Sequence, residues 1–300
     1  MTFKEGTKTE LSSTAVSNIC ETLKCEAADI ENVEAIKVGL TNKSFSFMCR
    51  GSKYVYREPG KGTNEFINRE SEAFSEELAY RLGIDRSLIK IDPKSGWKLS
   101  RFVEDYSYIN PYDEADCALA MRTVKTLHES GAESPWNFDY TEQTELIESL
   151  SRFKENVDFS RYEDENKRFI ELGRKLAGEN HKTAVCHNDA WHWNMLKGPD
   201  GRITLIDWEY SGNSYPEADV AYFTASLDYS DEDYFRLAEI YDGRPLDADR
   251  KRFYLAVLAI VLWYWFVWAL YKEALGTAVD DKDLWYKKAV HALDELENYQ

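Results

Sequence analysis

The chain has 300 residues and a formal net charge of −17, and its 30% charged and 43% hydrophobic residues are typical of a folded, soluble protein. An acidic chain of this kind lacks the basic surface that nucleic-acid binding needs, so we expect no nucleic acid as a partner. The five cysteines show neither metal-site nor disulfide spacing and the first twenty residues lack an apolar export signal, which predicts a cytoplasmic protein.

The first hundred residues contain short runs rich in β-branched and aromatic residues, which predict strands, and a helical pattern at residues 65–81. After residue 105 the pattern becomes mainly helical, with amphipathic stretches at 114–130, 141–153 and 161–177. The sequence therefore predicts an α+β fold with a small N-terminal β-sheet lobe and a larger, mainly helical C-terminal lobe.

A strand-like run, AVCHND, interrupts the helical part and ends at His187, Asn188 and Asp189. Asn194 follows five positions after the aspartate, and a hairpin with the turn GPDG leads to a strand that ends at Asp207. Kinases place an aspartate beside the attacking hydroxyl and use an asparagine and a second aspartate to bind Mg²⁺. The order and spacing therefore predict a kinase with ATP and Mg²⁺ as cofactors; the alternative is a set of turn and capping residues.

Residues 253–271 form an uncharged run that is long enough to span a bilayer. Its tryptophans and tyrosines crowd the middle of the run, whereas a spanning helix places such rings at the two interfaces. We therefore expect a helix buried in the protein core and no stable membrane insertion.

The motif HNDxxxxN, followed by LIDWEYSG and Asp219, resembles the choline/ethanolamine kinase family, whose relatives include the aminoglycoside phosphotransferases. The resemblance covers nearly the whole chain. It implies a two-lobed, protein-kinase-like fold, with a nucleotide-binding lobe at residues 1–103 and a catalytic and acceptor-binding lobe at residues 104–300.

The same resemblance assigns roles to the motif residues. Asp189 would orient or deprotonate the acceptor hydroxyl, and Asn194 and Asp207 would hold Mg²⁺ with help from Glu209. His187 would brace the loop rather than react. Asp219 would anchor the catalytic loop through hydrogen bonds, and we expect a structural role for His128 in the motif TLHESG.

The N-terminal segment KVGLTNKSFSF contains a turn with four candidate phosphate contacts, namely Gly39, Thr41, Asn42 and Ser44. This turn lacks the glycine spacing of the common phosphate-binding motifs, so an ordinary hairpin is the alternative. Choline kinases carry a similar loop over the phosphates, and the resemblance therefore favours a nucleotide-binding loop.

Arg57 in KYVYRE resembles the arginine with which choline kinases hold phosphate, since a guanidinium can bind two oxygens at once. NRESEA resembles the DRxxE motif of the family and implies that Glu72 orients this arginine, although Asn68 replaces the aspartate of the motif. Both charges could instead lie on the surface. We expect adenine to bond to the backbone of Arg101 and Val103, where the two lobes join.

Trp265 and Trp268 lie three positions apart and so share one face of the apolar helix, which resembles the W-x-x-W helix of choline kinases. A quaternary ammonium has no hydrogen-bond donor, and aromatic faces are what recognise it. Trp263 and Phe266 point elsewhere and are expected in the core. Three further candidates for the acceptor site are Tyr229, Tyr210 and Trp191.

The expected reaction is the ATP-dependent phosphorylation of choline to phosphocholine. Ethanolamine, thiamine or an aminoglycoside are alternative acceptors. An inactive nucleotide-binding module or a membrane-attached module is an alternative of a different class, and the complete Asp–Asn–Asp set counts against it.

Overall fold

The N-terminal part of the protein is an antiparallel sheet with a helix on each face. The computed structural model describes residues 9–36, 42–60, 63–150 and 159–298. In chain order the first elements are α1 (Ser13–Leu23), β1 (Ile30–Ile36), β2 (Lys43–Cys49), β3 (Ser52–Glu58), α2 (Arg69–Leu82), β4 (Leu88–Ile91) and β5 (Lys98–Arg101). The five strands lie in the order β1-β2-β3-β5-β4, and every neighbouring pair is antiparallel.

The two faces of this sheet differ because successive side chains of a strand point to opposite sides. Tyr56 of β3 and Leu99 of β5 are buried in an apolar cluster with α1. Their neighbours Arg57 and Lys98 are register partners and form ion pairs with carboxylates of α2. The face towards α2 is therefore charged although it is buried.

Asn68 caps the N-terminus of helix α2, and its side chain accepts hydrogen bonds from the backbone N–H groups of Glu70 and Ser71. Asparagine and aspartate are equally good at this capping position. The replacement of the aspartate of the family motif by Asn68 thus preserves the start of the helix.

The C-terminal part is mainly helical and holds two small antiparallel sheets, β6-β8-β9 and β7-β10. Its elements are β6 (Ser107–Tyr108), α3 (Glu114–His128), α4 (Tyr140–Ser149), α5 (Phe159–Ala177), β7 (Ala184–Cys186), β8 (Met195–Lys197), β9 (Ile203–Leu205), β10 (Gly212–Ser214), α6 (Glu217–Phe223), α7 (Asp231–Asp242), α8 (Ala248–Ala274) and α9 (Lys282–Asn298). The α+β prediction, with a sheet in the first lobe and helices in the second, is confirmed.

Helix α8 contains the apolar run and lies at the centre of the helical lobe, in contact with α4, α5, α6 and α9. Within the described residues it alone is long and apolar enough to cross a membrane, and 83% of its most apolar window is buried inside the protein. The prediction of a buried core helix is confirmed.

The connection between the lobes follows β5, which ends at Arg101, while the next strand, β6, already pairs with β8 of the helical lobe. We propose the division between residues 103 and 104, which falls in this connection. Leu78 and Ala79 of α2 belong to the large core of the helical lobe. Helix α2 therefore joins the two lobes, and its charged residues face the site between them.

Candidate active site

The hairpin β8–β9 brings Asn194 and Asp207 together. Met195 pairs with Leu205 across the hairpin, and the backbone N–H of Ile206 donates to the carbonyl of Asn194 at 3.0 Å. Because Asn194 precedes β8 and Asp207 follows β9, both residues lie at the same end of the hairpin. Their proximity follows from the strand register.

Asp189 lies beside this end of the hairpin. The side-chain nitrogen of Asn194 donates to the backbone oxygen of Asp189 at 3.0 Å and to its carboxylate at 3.1 Å. The atom that Asn194 can offer a cation is therefore its amide oxygen. Burial, together with the negative charges of Asp207 and Glu209, raises the pKa of Asp189 well above its ordinary value.

The loop that carries Asp189 is anchored by the fully buried Asp219. One carboxylate oxygen of Asp219 accepts from the backbone N–H of Asn188 at 2.6 Å, and the other accepts from that of His187 at 2.9 Å. Nε2 of His128 lies 2.8 Å from the second oxygen. The predicted anchoring role of Asp219 and the structural role of His128 are confirmed.

His187 bonds both to the loop that carries Asp189 and to the end of the β8–β9 hairpin. Its Nδ1 accepts from the backbone N–H of Asp189 at 3.2 Å, and its Nε2 lies 3.0 Å from the carbonyl oxygen of Ile206. A neutral imidazole with the proton on Nε2 satisfies both contacts, and burial lowers the pKa of His187 in agreement with that state. His187 thus braces the loop against the end of the hairpin, as predicted.

Two residues of the site have left-handed backbone conformations. Asn188 has φ of 64° and Asp207 has φ of 70°. Residues other than glycine rarely adopt this region, although asparagine and aspartate tolerate it best. The backbone strain falls immediately before Asp189 and at the end of the hairpin, which is where strain is commonly found in functional sites.

A network of buried charges lies beside Asp207 and Glu209. Arg57 forms an ion pair with Glu72, and its other terminal nitrogen lies 3.5 Å from Asp207. Glu72 also accepts from Arg69 at 2.8 Å, and Arg69 lies 3.8 Å from Glu209. Burial and the charge of Asp207 raise the pKa of Glu209 to about 7. The predicted partners Arg57 and Glu72 are thus in direct contact.

The predicted phosphate loop reaches the same network. The side-chain nitrogen of Asn42 donates to Glu209 at 2.8 Å, which joins the first lobe to the second. Ser44 lies half-buried on β2. The other two predicted contacts, Gly39 and Thr41, lie outside the described residues.

The connection expected to hold adenine has few available backbone groups. The N–H of Arg101 donates to the carbonyl of Ser87 at 2.7 Å, and the N–H of Phe102 donates to the carbonyl of Lys53 at 3.0 Å. The backbone contact predicted for Arg101 is therefore limited to its carbonyl oxygen. Val103 follows the strand and is half-buried.

The aromatic cluster consists of five buried rings, namely Trp265 and four of the rings that contact it. Tyr222 stacks on Trp265 with ring centroids 4.4 Å apart, and Tyr210, Trp268 and Trp285 follow at 4.9, 5.3 and 6.1 Å. All five side chains belong to the core of the helical lobe. The structure thus brings together three of the predicted acceptor residues and adds Tyr222 and Trp285.

Two interactions give the aromatic cluster chemical significance. Burial and the negative charge of the nearby Asp189 raise the pKa of Tyr222. The ammonium nitrogen of Lys272 lies 5.4 Å from the centroid of the Trp268 ring, within the range of a cation–π interaction. The aromatic cluster therefore lies near Asp189 and beside a positive charge.

Tyr229 and Trp191 lie apart from these rings. The Tyr229 hydroxyl donates to the carbonyl of Pro111, and its ring lies 5.8 Å from that of Tyr112. The Trp191 ring lies 6.4 Å from that of Trp193. In the part of the chain that the structure describes, neither has a ring contact with the aromatic cluster.

Three residues of the site were not among the predicted ones. Arg69 could have been found, because it is the arginine of the segment that resembles DRxxE. Tyr222, three positions after Asp219, and Trp285 in α9 carry no motif that would distinguish them from core residues.

Comparisons with known proteins agree with this geometry. A family model described as choline/ethanolamine kinase matches residues 114–262. The protein LicA of Haemophilus influenzae is 29% identical over 264 residues, which are 81% of this chain and 74% of the relative. The crystal structure of choline kinase LicA from Streptococcus pneumoniae has 25% identity and a TM-score of 0.77 and covers 93% of this chain and 97% of that one. A structure of LicA in complex with AMP also has a TM-score of 0.77, with 24% identity, and covers 98% of this chain and 100% of that one.

A sheet lobe and a helical lobe that meet at Asp189, Asn194 and Asp207 define a protein-kinase-like enzyme, a phosphotransferase with an alcohol group as acceptor. ATP is the phosphate donor of such enzymes. The chain is similar to the choline/ethanolamine kinase family over residues 114–262 and to LicA over most of its length.

Proposed function

We propose that this enzyme transfers the γ-phosphate of ATP to choline and releases phosphocholine and ADP. The observation that carries the proposal is the position of the aromatic cluster near Asp189, with Tyr222 stacked on Trp265 and within the electrostatic influence of Asp189. Only two carbons separate the hydroxyl of choline from its quaternary ammonium. An enzyme for choline therefore needs aromatic faces next to its catalytic carboxylate.

The residues of the hairpin fit a magnesium ion. Asp207 offers a carboxylate and Asn194 an amide oxygen, and Mg²⁺ prefers oxygen ligands and keeps several waters. The Asp207 side chain is 38% exposed, which leaves room for phosphate and water. When bound, Mg²⁺ would neutralise negative charge on the phosphates. Glu209 is engaged by Asn42, so it would support the metal through a water or a second ion.

Asp189 has the position and the environment to act on the acceptor hydroxyl. The hydroxyl oxygen bonds to the γ-phosphorus while the bond from that phosphorus to the oxygen of ADP breaks, and the hydroxyl proton moves to Asp189. The raised pKa of Asp189 favours acceptance of this proton. Arg57 is held in place by Glu72 and can bind phosphate oxygens without further ordering.

Ethanolamine is the second candidate acceptor, and the cluster favours choline over it. A primary ammonium needs hydrogen-bond acceptors, whereas the polar atoms of Trp265 and Trp268 are N–H donors. Neither indole N–H has a hydrogen-bond partner among the described residues. Such rings suit a cation that has no hydrogen to donate.

The test is the release of ADP from Mg-ATP with choline, ethanolamine, thiamine and kanamycin as acceptors. We expect the highest kcat/KM with choline. A higher value for another acceptor would reject choline as the substrate. Tight binding of Mg-ATP without turnover of any acceptor would instead indicate an inactive nucleotide-binding module.

A further inference from the structure

Lys272 extends the acceptor face of helix α8. Trp265, Trp268 and Lys272 are separated by three and four positions, so the three side chains share one face of the helix. The ammonium nitrogen lies 5.4 Å from the centroid of the Trp268 ring. Lys272 is only 7% exposed. The wall of the aromatic cluster therefore includes a buried positive charge.

A buried ammonium needs compensation for the water that it loses. The π-face of Trp268, the negative charge of Glu209 and the partial negative charge at the end of α8 contribute to it. Burial lowers the pKa of Lys272, and Glu209 opposes that shift. Trp268 belongs to the aromatic cluster, so its contact with the ammonium places Lys272 at the wall of that cluster.

An interaction with the dipole at the end of α8 does not by itself explain why Lys272 is buried. A lysine in the last turn of a helix interacts favourably with the helix dipole while its ammonium stays in water. Lys272 is buried against the ring that the proposed acceptor would use.

We propose that Lys272 is a specificity-determining residue, a resident cation that occupies the face of Trp268 and competes there with a cationic acceptor. The inference rests on the proposed function in one respect, namely that the acceptor is a cation. Two ammonium groups in a buried pocket repel each other, so the acceptor must displace Lys272 or bind against its charge. The resident cation thus weakens the binding of cationic ligands and leaves that of uncharged ones unchanged.

The experiment compares Lys272→Met, which removes the charge at similar volume, with Lys272→Arg, which keeps it. Isothermal titration calorimetry on the full chain with Mg-ADP measures the Kd of tetramethylammonium and of 3,3-dimethylbutan-1-ol, the uncharged isostere of choline. In Lys272→Met we expect a Kd of tetramethylammonium that is roughly 2- to 30-fold lower, the range of one cation–π contact. The Kd of the alcohol and that of Mg-ADP should stay the same, and Lys272→Arg should behave as the wild type.

Thermal unfolding verifies that each variant is folded, and Lys272→Gln replaces Lys272→Met if the latter is not. Unchanged, weaker or undetectable tetramethylammonium binding in the uncharged variant would overturn the inference. Equal tightening for the alcohol would also overturn it, because the effect would then come from space and not from charge.

Choline turnover by the wild type separates the two proposals. A wild type that does not phosphorylate choline, combined with tighter tetramethylammonium binding in Lys272→Met, would reject the acceptor and support the role of Lys272. Choline turnover combined with unchanged tetramethylammonium binding would support the acceptor and reject the role of Lys272.

Discussion

The charge network of Arg57 and the aromatic cluster, which we propose as the nucleotide side and the acceptor side of the site, both bury their side chains but stabilise them differently. On the nucleotide side Arg57 pairs with Glu72, and one helical turn further Lys98 lies 2.9 Å from Glu76. On the acceptor side the rings of Tyr210, Tyr222, Trp268 and Trp285 all contact the ring of Trp265. Removal of one ion leaves its partner charged and buried, whereas replacement of one ring weakens a shared surface. The two sides should therefore respond differently to mutation.

Asp189, where the two sides meet, should show the largest effect. Asp189→Asn removes the proton acceptor, so we expect kcat with choline to fall by about 10²- to 10⁴-fold, with a small change in KM. Steady-state ADP release measures this. The exposed Asp249 of α8 provides the control, since Asp249→Asn should leave kcat unchanged. A variant of Asp189 that keeps most of its activity would refute the assigned role.

Loss of Glu72 tests the dependence of the charge network on each partner. Glu72→Gln leaves the arginines Arg57 and Arg69 without this carboxylate, so we expect a loss of about 3 to 5 kcal/mol in the free energy of unfolding and a higher KM for ATP. Urea denaturation and ATP titration measure the two effects. Glu70→Gln, at an exposed position of the same helical turn, should change both only slightly. Equal effects of the two variants would contradict the network.

Glu76 gives the nucleotide side a pH dependence that the aromatic rings do not have. Burial raises the pKa of Glu76 from its ordinary 4.5 to about 7, although Lys98 opposes the shift. Because the pKa of Glu76 is higher in the folded than in the unfolded state, folding favours the protonated carboxyl. The contribution of Glu76 to stability is therefore complete below pH 4.5 and is lost as the pH rises through about 7. Glu76→Gln should reduce the fall in stability between about pH 5 and pH 8 by roughly 1 to 3 kcal/mol.

The measurement is urea denaturation across that pH range. The exposed neighbour Glu77 supplies the matched control, because Glu77→Gln should retain the wild-type slope. If Glu76→Gln kept the same slope as the wild type, the assignment of the titration to Glu76 would be wrong.

The smallest effect should come from a single ring of the aromatic cluster. Trp265→Leu keeps an apolar side chain but removes the π-face, so we expect the KM for choline to rise about 2- to 30-fold and the KM for ATP to stay the same. Trp263 lies on the same helix but stacks on Phe169 with ring centroids 4.2 Å apart. Trp263→Leu should therefore leave the ratio of the two KM values unchanged. Equal changes in both variants would mean that the ring acts only through packing.

The predicted parts of the site are those that short-range geometry determines. Asn194 and Asp207 meet because they flank one hairpin, and the turn GPDG marks that hairpin in the sequence. The charged partners Arg57 and Glu72 required the family resemblance, since nothing in their local pattern distinguishes a buried pair from surface charges. The helices α3, α4 and α5 were found within a few residues by their periodicity.

The remaining parts of the site depend on tertiary contacts between residues that are far apart in the sequence. Tyr222 and Trp285 reach Trp265 from α6 and α9, and their local sequences are those of ordinary core helices. Tyr229 is predicted near the acceptor end from its place in the sequence, and in the structure its hydroxyl donates to the carbonyl of Pro111. Aromatic residues are too common in cores for sequence alone to separate these cases.

Helix α8 serves at once as the wall of the acceptor side and as the centre of the core. The face of this helix that is opposite to Trp265 is held by Trp263, whose indole N–H donates to Asn166 at 2.7 Å. Local opening of the acceptor wall would therefore disrupt the whole helical lobe. Backbone amides around residues 263–268 should exchange their hydrogens only through global unfolding. The proposed acceptor wall would thus be one of the least mobile parts of the molecule, and we expect changes in acceptor preference to be tolerated more easily at the rings of α6 and α9 than on α8 itself.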